Sequence, residues 1–374
     1  MVFKHANVFI DGRFQLLDVA TKDDKITQIA ESIDSEEYID CTGKYLIPGF
    51  IDIHSHGCVG FDFTNGTEEE LIAMCKYYAS KGVTSVLATV MTEKYPVLKQ
   101  SMLNIKSVMH TDYPGSTILG INMEGPFLGA DKKGAHDEKY LRPIDEVMFN
   151  ELNELSGNCI RLVDIDPKKE GALDFIRSHS KTKTISLAHT SCNYELACEA
   201  FQAGASHITH LFNAMNGLHH REPGLIGAMS DFDVHAELIT DGIHIHPAVV
   251  RMMFKLDPQK MIIISDSMSA SGLEDGLYSL GGQDVYVKNK KATLIDGTIA
   301  GSTTNVHEAL LNCIAFGVKK EDAILSATKI PAKSVKADDE VGEISIGKKA
   351  NMLITDEDLT IERIFINGKE FLNS

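Results

Sequence analysis

Eight apolar runs of strand length recur between residues 50 and 266, and helical patterns fill much of the space between them. The runs are FIDIH (50–54), TSVLATVM (84–91), TILGINME (117–124), IRLVDID (160–166), TISLAH (184–189), HITHLF (207–212), HAELIT (235–240) and MIIISD (261–266). Segments such as EEELIAMCKYYASKG, IDEVMFNELNELSG, NYELACEAFQAG and HPAVVRMMFKLD carry apolar residues at helical spacing. This alternation builds either a closed barrel or an open doubly wound sheet. A count of eight is the number that closes a barrel, so the predicted fold is α/β, a (β/α)8 TIM-like barrel.

Both ends of the chain depart from this pattern. ANVFIDGRF reads as two strands joined at Asp11-Gly12, followed by ITQIA and EEYIDC. The far end answers with GEISIGKKANMLITD and IERIFINGKEF, the latter turning at Asn367-Gly368. Residues 1–48 and 336–374 are therefore expected to form one small β-sandwich domain. Residues 49–335 are expected to form the barrel, with a β-ribbon inserted near 276–300 and NVHEALLNCIAFG and KEDAILSATKIPAKSV as closing helices.

Charge narrows the partners. Lys and Arg number 36 against 53 Asp and Glu, a formal net charge of −17. Such a field repels phosphates, which argues against nucleic acid and anionic membranes as partners. A phosphorylated substrate would need local basic groups. No apolar run reaches the roughly 18 residues of a membrane span, and the first residues lack a signal-peptide core. The seven cysteines are odd in number and form no C-x-x-C, as expected of reduced thiols in the cytoplasm.

Several of the runs end on residues that can ligate a metal. His54 and His56 close the first run, and positions i and i+2 of a strand share a face, so both imidazoles can converge on one ion. The plain alternative is two unrelated polar residues at a strand end. Glu124 ends the third run, immediately before Gly125-Pro126; alone it would read as a solvated strand end. His189 ends the fifth run. His210 lies in the sixth, nearer its end than His207, which faces the other way and is expected to be structural. Asp266 ends the eighth, where a lone Asp commonly caps a following helix. Closure of the barrel would instead set it beside His54 and His56. The rim formed by strand C-termini is where barrels carry their sites, so five coincident ends predict one metal centre there.

The motifs PGFIDIHSHG, MEGPFL with KKGAH, AHTS, THLFNAM, REPG, DGIH, SDSM and DGTIAGS follow one another from about residue 48 to 303. In this combination the chain resembles the amidohydrolase superfamily and, within it, the N-acetylglucosamine-6-phosphate deacetylases. The resemblance implies Glu124, His189 and His210 as ligands of one divalent ion. It implies His54 and His56 for a second ion, which some members lack, and Asp266 as the catalytic carboxylate close to both. Zn or Fe is expected, with Mn compatible. His136 matches the histidine that polarises the acetamide carbonyl. Ala135, Asn213, Ala214, Arg221 and His244 match substrate-binding positions, with Arg221 and His244 placed for phosphate. Ile299, Ala300 and Gly301 match a loop lining the sugar pocket.

The implied activity is hydrolysis of N-acetylglucosamine 6-phosphate to glucosamine 6-phosphate and acetate in amino-sugar metabolism. The partner would be a small phosphosugar, and the protein a homodimer whose partner loop closes the phosphate site. Alternatives are deacetylation of the galactosamine epimer, or a non-catalytic scaffold on the same fold. Retention of all six ligand-type residues speaks against the scaffold. Without the resemblance, Arg221 would be read as a surface pair with Glu222, His219 and His220 as exposed loop residues, and His246 as a helix start. The chain departs from the family at VDIDPKKE after the fourth run, which receives no role, and at Asn122, where a histidine is common. The fourth run also carries no lysine for carbamylation, since Lys168 and Lys169 lie beyond it.

Overall fold

In the computed structural model, which describes residues 1–372, the eight runs form one parallel sheet whose strands lie in chain order. They span Phe50–Ser55, Val83–Met91, Thr117–Glu124, Ile160–Ile165, Thr184–Leu187, His207–Ile208, His235–Ile239 and Met261–Ile264. The first and last strands meet through a Ser55–Ser267 bridge, and the Asp266 amide donates to the His54 carbonyl at 2.9 Å. The sheet thus closes into the expected barrel. Helices surround it, and Thr67 with Glu70 forms a capping box that starts the first of them, Glu68–Ser80.

Three strands stop two or more residues short of their apolar runs. The fifth stops at Leu187, the sixth at Ile208 and the eighth at Ile264. Two residues after each stop the chain turns with positive φ: His189 at 45°, His210 at 29° and Asp266 at 47°. Phe212 and Ala214 follow at 78° and 51°. A left-handed residue cannot continue a β ladder, so HITHLF contributes only two residues of strand. Each such non-glycine residue costs about 1–2 kcal/mol. Clustered at the barrel mouth, they turn side chains inward that a continuing strand would carry elsewhere.

Two apolar layers hold the barrel. Outside, Val86, Val90, Ile121, Val163 and Ile185 pack against helix residues such as Met74, Tyr78, Met102 and Phe175. A second cluster joins Leu87, Leu162, Ile239 and Ile262 to Ile330 and Val335 of the helix Lys329–Ser334 and its C-cap, and to Val341 beyond it. The expected ribbon is present as Gly276–Leu280, Gln283–Lys288 and Lys291–Thr293. Its first turn, Gly281-Gly282, has φ of 55° and 73°, a conformation open to glycine without strain.

The chain ends build a second sheet. Val2–Ile10 pairs with Arg13–Lys22 on one side and, through Tyr45–Pro48, with Met352–Thr355 and Ile361–Ile366 on the other. Asp11-Gly12 and Asn367-Gly368 are the tight turns, all with positive φ. Phe3 and Phe365 lie three strands apart, roughly 14 Å along a flat sheet. Their ring centroids are only 4.9 Å apart. The sheet therefore curls over a core of its own that includes Val8, Val19, Leu46 and Met352.

Candidate active site

The mouth of the barrel collects the six ligand-type residues at one place, and all are buried. Glu124 stands at the centre. Its Oε1 lies 3.1 Å from Nε2 of both His189 and His210. Its Oε2 lies 3.4 Å from His56 Nε2 and 3.3 Å from His136 Nε2. Asp266 Oδ1 is 3.1 Å from His56 Nε2 and 3.6 Å from His54 Nε2. The two oxygens of one carboxylate thus face two separate pairs of imidazoles.

These contacts fit a cation better than they fit each other. His189 Nδ1 lies 2.8 Å from the Lys132 carbonyl, which can only accept, so Nδ1 carries the hydrogen. Burial pushes the His189 imidazole down to about 4, although Glu124 beside it pulls the other way. The ring is therefore neutral, and its Nε2 presents a lone pair to the Glu124 oxygen and to His210 Nε2 at 3.0 Å. His56 Nδ1, His136 Nδ1, His210 Nδ1 and Glu124 Oε2 are buried without hydrogen-bond partners. Burial would raise the carboxyl of Glu124, but His136 and His54 hold it well below the usual range. Burial likewise opposes ionisation of Asp266, and His54 and His56 overcome it. Converging lone pairs and ionised carboxylates in a dry pocket are the donor set of a divalent metal site. His54, His56 and Asp266 form one triad of such groups, and Glu124, His136 and His189 another.

Glu237, absent from the expectations, orders this cluster from below. It lies in the seventh strand and is fully buried. Its Oε2 accepts from His54 Nδ1 at 2.8 Å and from the His210 backbone amide at 3.0 Å. Its Oε1 lies 3.0 Å from His207 Nε2. Burial would raise this carboxyl, yet His54 and His207 keep it well below the usual range. One carboxylate thereby sets the tautomer of His54 and fixes the turn that carries His210, the role outer-shell groups play at metal sites. His207 is structural as expected, its other nitrogen 2.7 Å from Ser334 Oγ. The sequence signal for Glu237 was a charged residue inside a run with no polar face.

The unassigned turn after the fourth strand also has a structural task. Asp166 accepts from Thr190 Oγ1 at 2.6 Å, and Lys168 Nζ lies 2.8 Å from Asp131 Oδ2. These contacts tie the loop that leads to His136 to the turn that carries His189.

A cavity of about 310 Å³ opens onto the cluster. Ala135, His136, Asn213, Ala214, His244, Ile299 and Gly301 line it, as do Thr298 of the DGTIAGS motif and Met91 and Leu280, which no motif had indicated. Ala300 does not line it. Its side chain packs into the ribbon with Met268, Leu280 and Ala292. Asp241 Oδ2 holds His244 Nδ1 at 2.7 Å, leaving Nε2 for a ligand. His246 caps its helix, accepting from the Ala248 amide at 3.1 Å.

Arg221, like Ala300, is a candidate that the fold does not bring to the cavity. It is exposed on the loop after the sixth strand, outside the cavity lining, and its Nη1 lies 2.7 Å from His220 Nε2 rather than pairing with Glu222.

Comparison with known proteins agrees with this architecture. The amidohydrolase family model matches residues 45–371. The chain is similar to the N-acetylglucosamine-6-phosphate deacetylase of Bacillus subtilis (strain 168), 35% identical over 355 residues, covering 92% of this chain and 89% of the relative. It is also similar to the N-acetylgalactosamine-6-phosphate deacetylase of Escherichia coli O157:H7, 34% identical over 330 residues and 87% of each chain. Among solved structures, a mutant N-acetyl-D-glucosamine-6-phosphate deacetylase from Mycobacterium smegmatis, in complex with N-acetyl-D-glucosamine-6-phosphate, superposes with a TM-score of 0.91. It is 26% identical and covers 100% of this chain and 99% of that one.

Proposed function

The chain belongs to the amidohydrolase family, and on that premise we infer that it hydrolyses the acetamide of N-acetylglucosamine 6-phosphate to glucosamine 6-phosphate and acetate. The observation that carries the reading is the cavity itself, with the Glu124–histidine–Asp266 cluster at its base and His244 facing into it. Steady-state deacetylation on the gluco and galacto 6-phosphates tests it. Faster turnover of the galacto epimer would transfer the assignment to the activity of the E. coli relative.

His54, His56, Glu124, His189, His210 and Asp266 are the residues that would hold two divalent ions. Such ions act as Lewis acids and lower the pKa of water into the neutral range. The residues do the rest. Asp266 accepts the proton of the attacking water and returns it to the departing amine, general acid–base help worth on the order of 10²–10⁴. His136 stabilises the negative charge that develops on the carbonyl oxygen. Asn213, Ala214 and the Ile299–Gly301 loop hold the sugar, and His244 receives the phosphate.

Glu237→Gln should keep the shape of the seventh strand while weakening the anchor of His54. Outer-shell changes of this kind cost about 10–100-fold in metal affinity. Calorimetric titration of apo-protein with Zn should show that loss at one of the two proposed sites. Superimposable isotherms for the variant and the parent would remove Glu237 from this role.

Arg221 acts, in this reading, across a homodimer. The exposed loop Leu218–Glu222 reaches the partner's cavity, where the guanidinium meets phosphate. Arg221→Ala should then raise KM for the phosphorylated sugar by about tenfold or more, as loss of a charged hydrogen bond of roughly 1.5–3 kcal/mol requires. Activity on unphosphorylated N-acetylglucosamine should change little. Equal losses on both sugars would make the residue structural.

A further inference from the structure

We propose that Met91 and Leu280 form the acyl subsite of this enzyme and limit it to short N-acyl groups. The proposal rests on the deacetylase reading above and adds a specificity determinant to it. Both side chains line the cavity, and both are almost fully buried, at 3% and 2% exposure. Met91 ends the second barrel strand, in register with Glu124 of the third. Leu280 comes from the ribbon, at the turn that folds back over Met91. A Cβ on the adjacent Gly281 would sit 3.4 Å from Met91 Cε, so the turn rests directly on that methyl group. Gln283 fastens the same turn by donating its Nε2 hydrogen to the Ala135 carbonyl. Ala135, Met268 and Val285 complete the apolar wall behind.

The substrate's own geometry directs the acyl group there. Asn213, Ala214 and His244 follow the sixth and seventh strands, and the second strand lies across the barrel from them. The carbonyl must sit over Glu124 and its histidines, between these two sides. A secondary amide is planar and trans, so its acyl chain points away from the ring carbon bearing nitrogen. With the sugar held at strands six and seven, the methyl group faces the second strand. There it meets the apolar side chains of Met91 and Leu280. The ribbon turn rests on the Met91 methyl group and bounds this side of the cavity, so each added methylene of the acyl chain would press against Met91 and Leu280.

An additional methylene in such a pocket changes discrimination by about 10–200-fold. The test compares kcat/KM of metal-loaded enzyme on N-acetyl-, N-propionyl- and N-butyrylglucosamine 6-phosphate. The parent should lose at least about tenfold per methylene. Met91→Ala and Leu280→Ala should each narrow the acetyl-to-butyryl ratio by about tenfold or more. The second variant lies on the ribbon, outside the barrel strands, and so separates an enlarged pocket from a disturbed barrel. Equal rates across the series in the parent, or ratios unmoved in both variants while acetyl turnover persists, overturn the subsite alone. Failure of the parent to release acetate from the N-acetyl compound overturns the deacetylase reading on which the subsite rests.

Discussion

Asp266→Asn is expected to lower kcat by about 10² or more while leaving the fold and metal content intact. The amide is a poor proton acceptor, so it can neither take the proton of water nor return it to the amine. Asn is also the substitution the backbone tolerates. Asp266 has a φ of 47°, and Asn is among the few residues that enter the left-handed region readily. Alanine there would add backbone strain to the chemical loss. The side chain lies 3.1 Å from His56 Nε2 and 3.6 Å from His54 Nε2, contacts an amide oxygen can keep. Circular dichroism and metal analysis of the variant check that only chemistry was removed. More than about a tenth of parental kcat remaining, against that expected loss, would take Asp266 out of proton transfer.

The second large effect concerns the number of ions. Reconstitution of apo-protein should show activity that continues to rise towards two equivalents of metal per chain. His54→Asn combined with His56→Asn should abolish that second increment and most activity with it. The first equivalent should still bind, because Glu124 Oε1, His189 and His210 are untouched. The geometry behind this is the division of Glu124, whose Oε1 faces His189 and His210 while Oε2 faces His56. Two ions held by these residues would activate water and polarise the acetamide carbonyl oxygen as Lewis acids. Full activity at one equivalent, unchanged in the double variant, would reduce the H-x-H pair to hydrogen bonding.

The eight strands were legible as apolar runs separated by helical patterns, and the polar ends of several of them exposed His54, His56, Glu124 and His189. Strand lengths were less legible. Left-handed turns at His189, His210 and Asp266 leave no mark when the residue is not glycine. Glu237 escaped notice because HAELIT reads as an ordinary strand until one asks what neutralises a carboxylate between Ala236 and Leu238. The answer, His54 and His207, lies 183 and 30 residues away in sequence. Met91 and Leu280 were silent for the opposite reason. Apolar side chains in a strand and a ribbon look like core, and only the cavity distinguishes them. Arg221 sits in a readable motif, but its side chain is exposed on a loop outside the cavity lining.

The curled sheet made from both chain ends governs how the protein must be synthesised. Tyr45–Pro48 leaves the ribosome early, yet its partner Met352–Thr355 emerges some 300 residues later. Closing so long a loop costs little more than closing a moderate one, because the entropy grows only with the logarithm of length. The delay is the larger matter. At about 5–20 residues per second, the early strands wait roughly 15–60 s with an unpaired edge. The barrel waits as well, because Ile330, Val335 and Val341 supply part of one of its apolar clusters. The sheet can be completed only after Met352–Thr355 has emerged, so the unpaired edge of Tyr45–Pro48 is where chaperone protection should matter most.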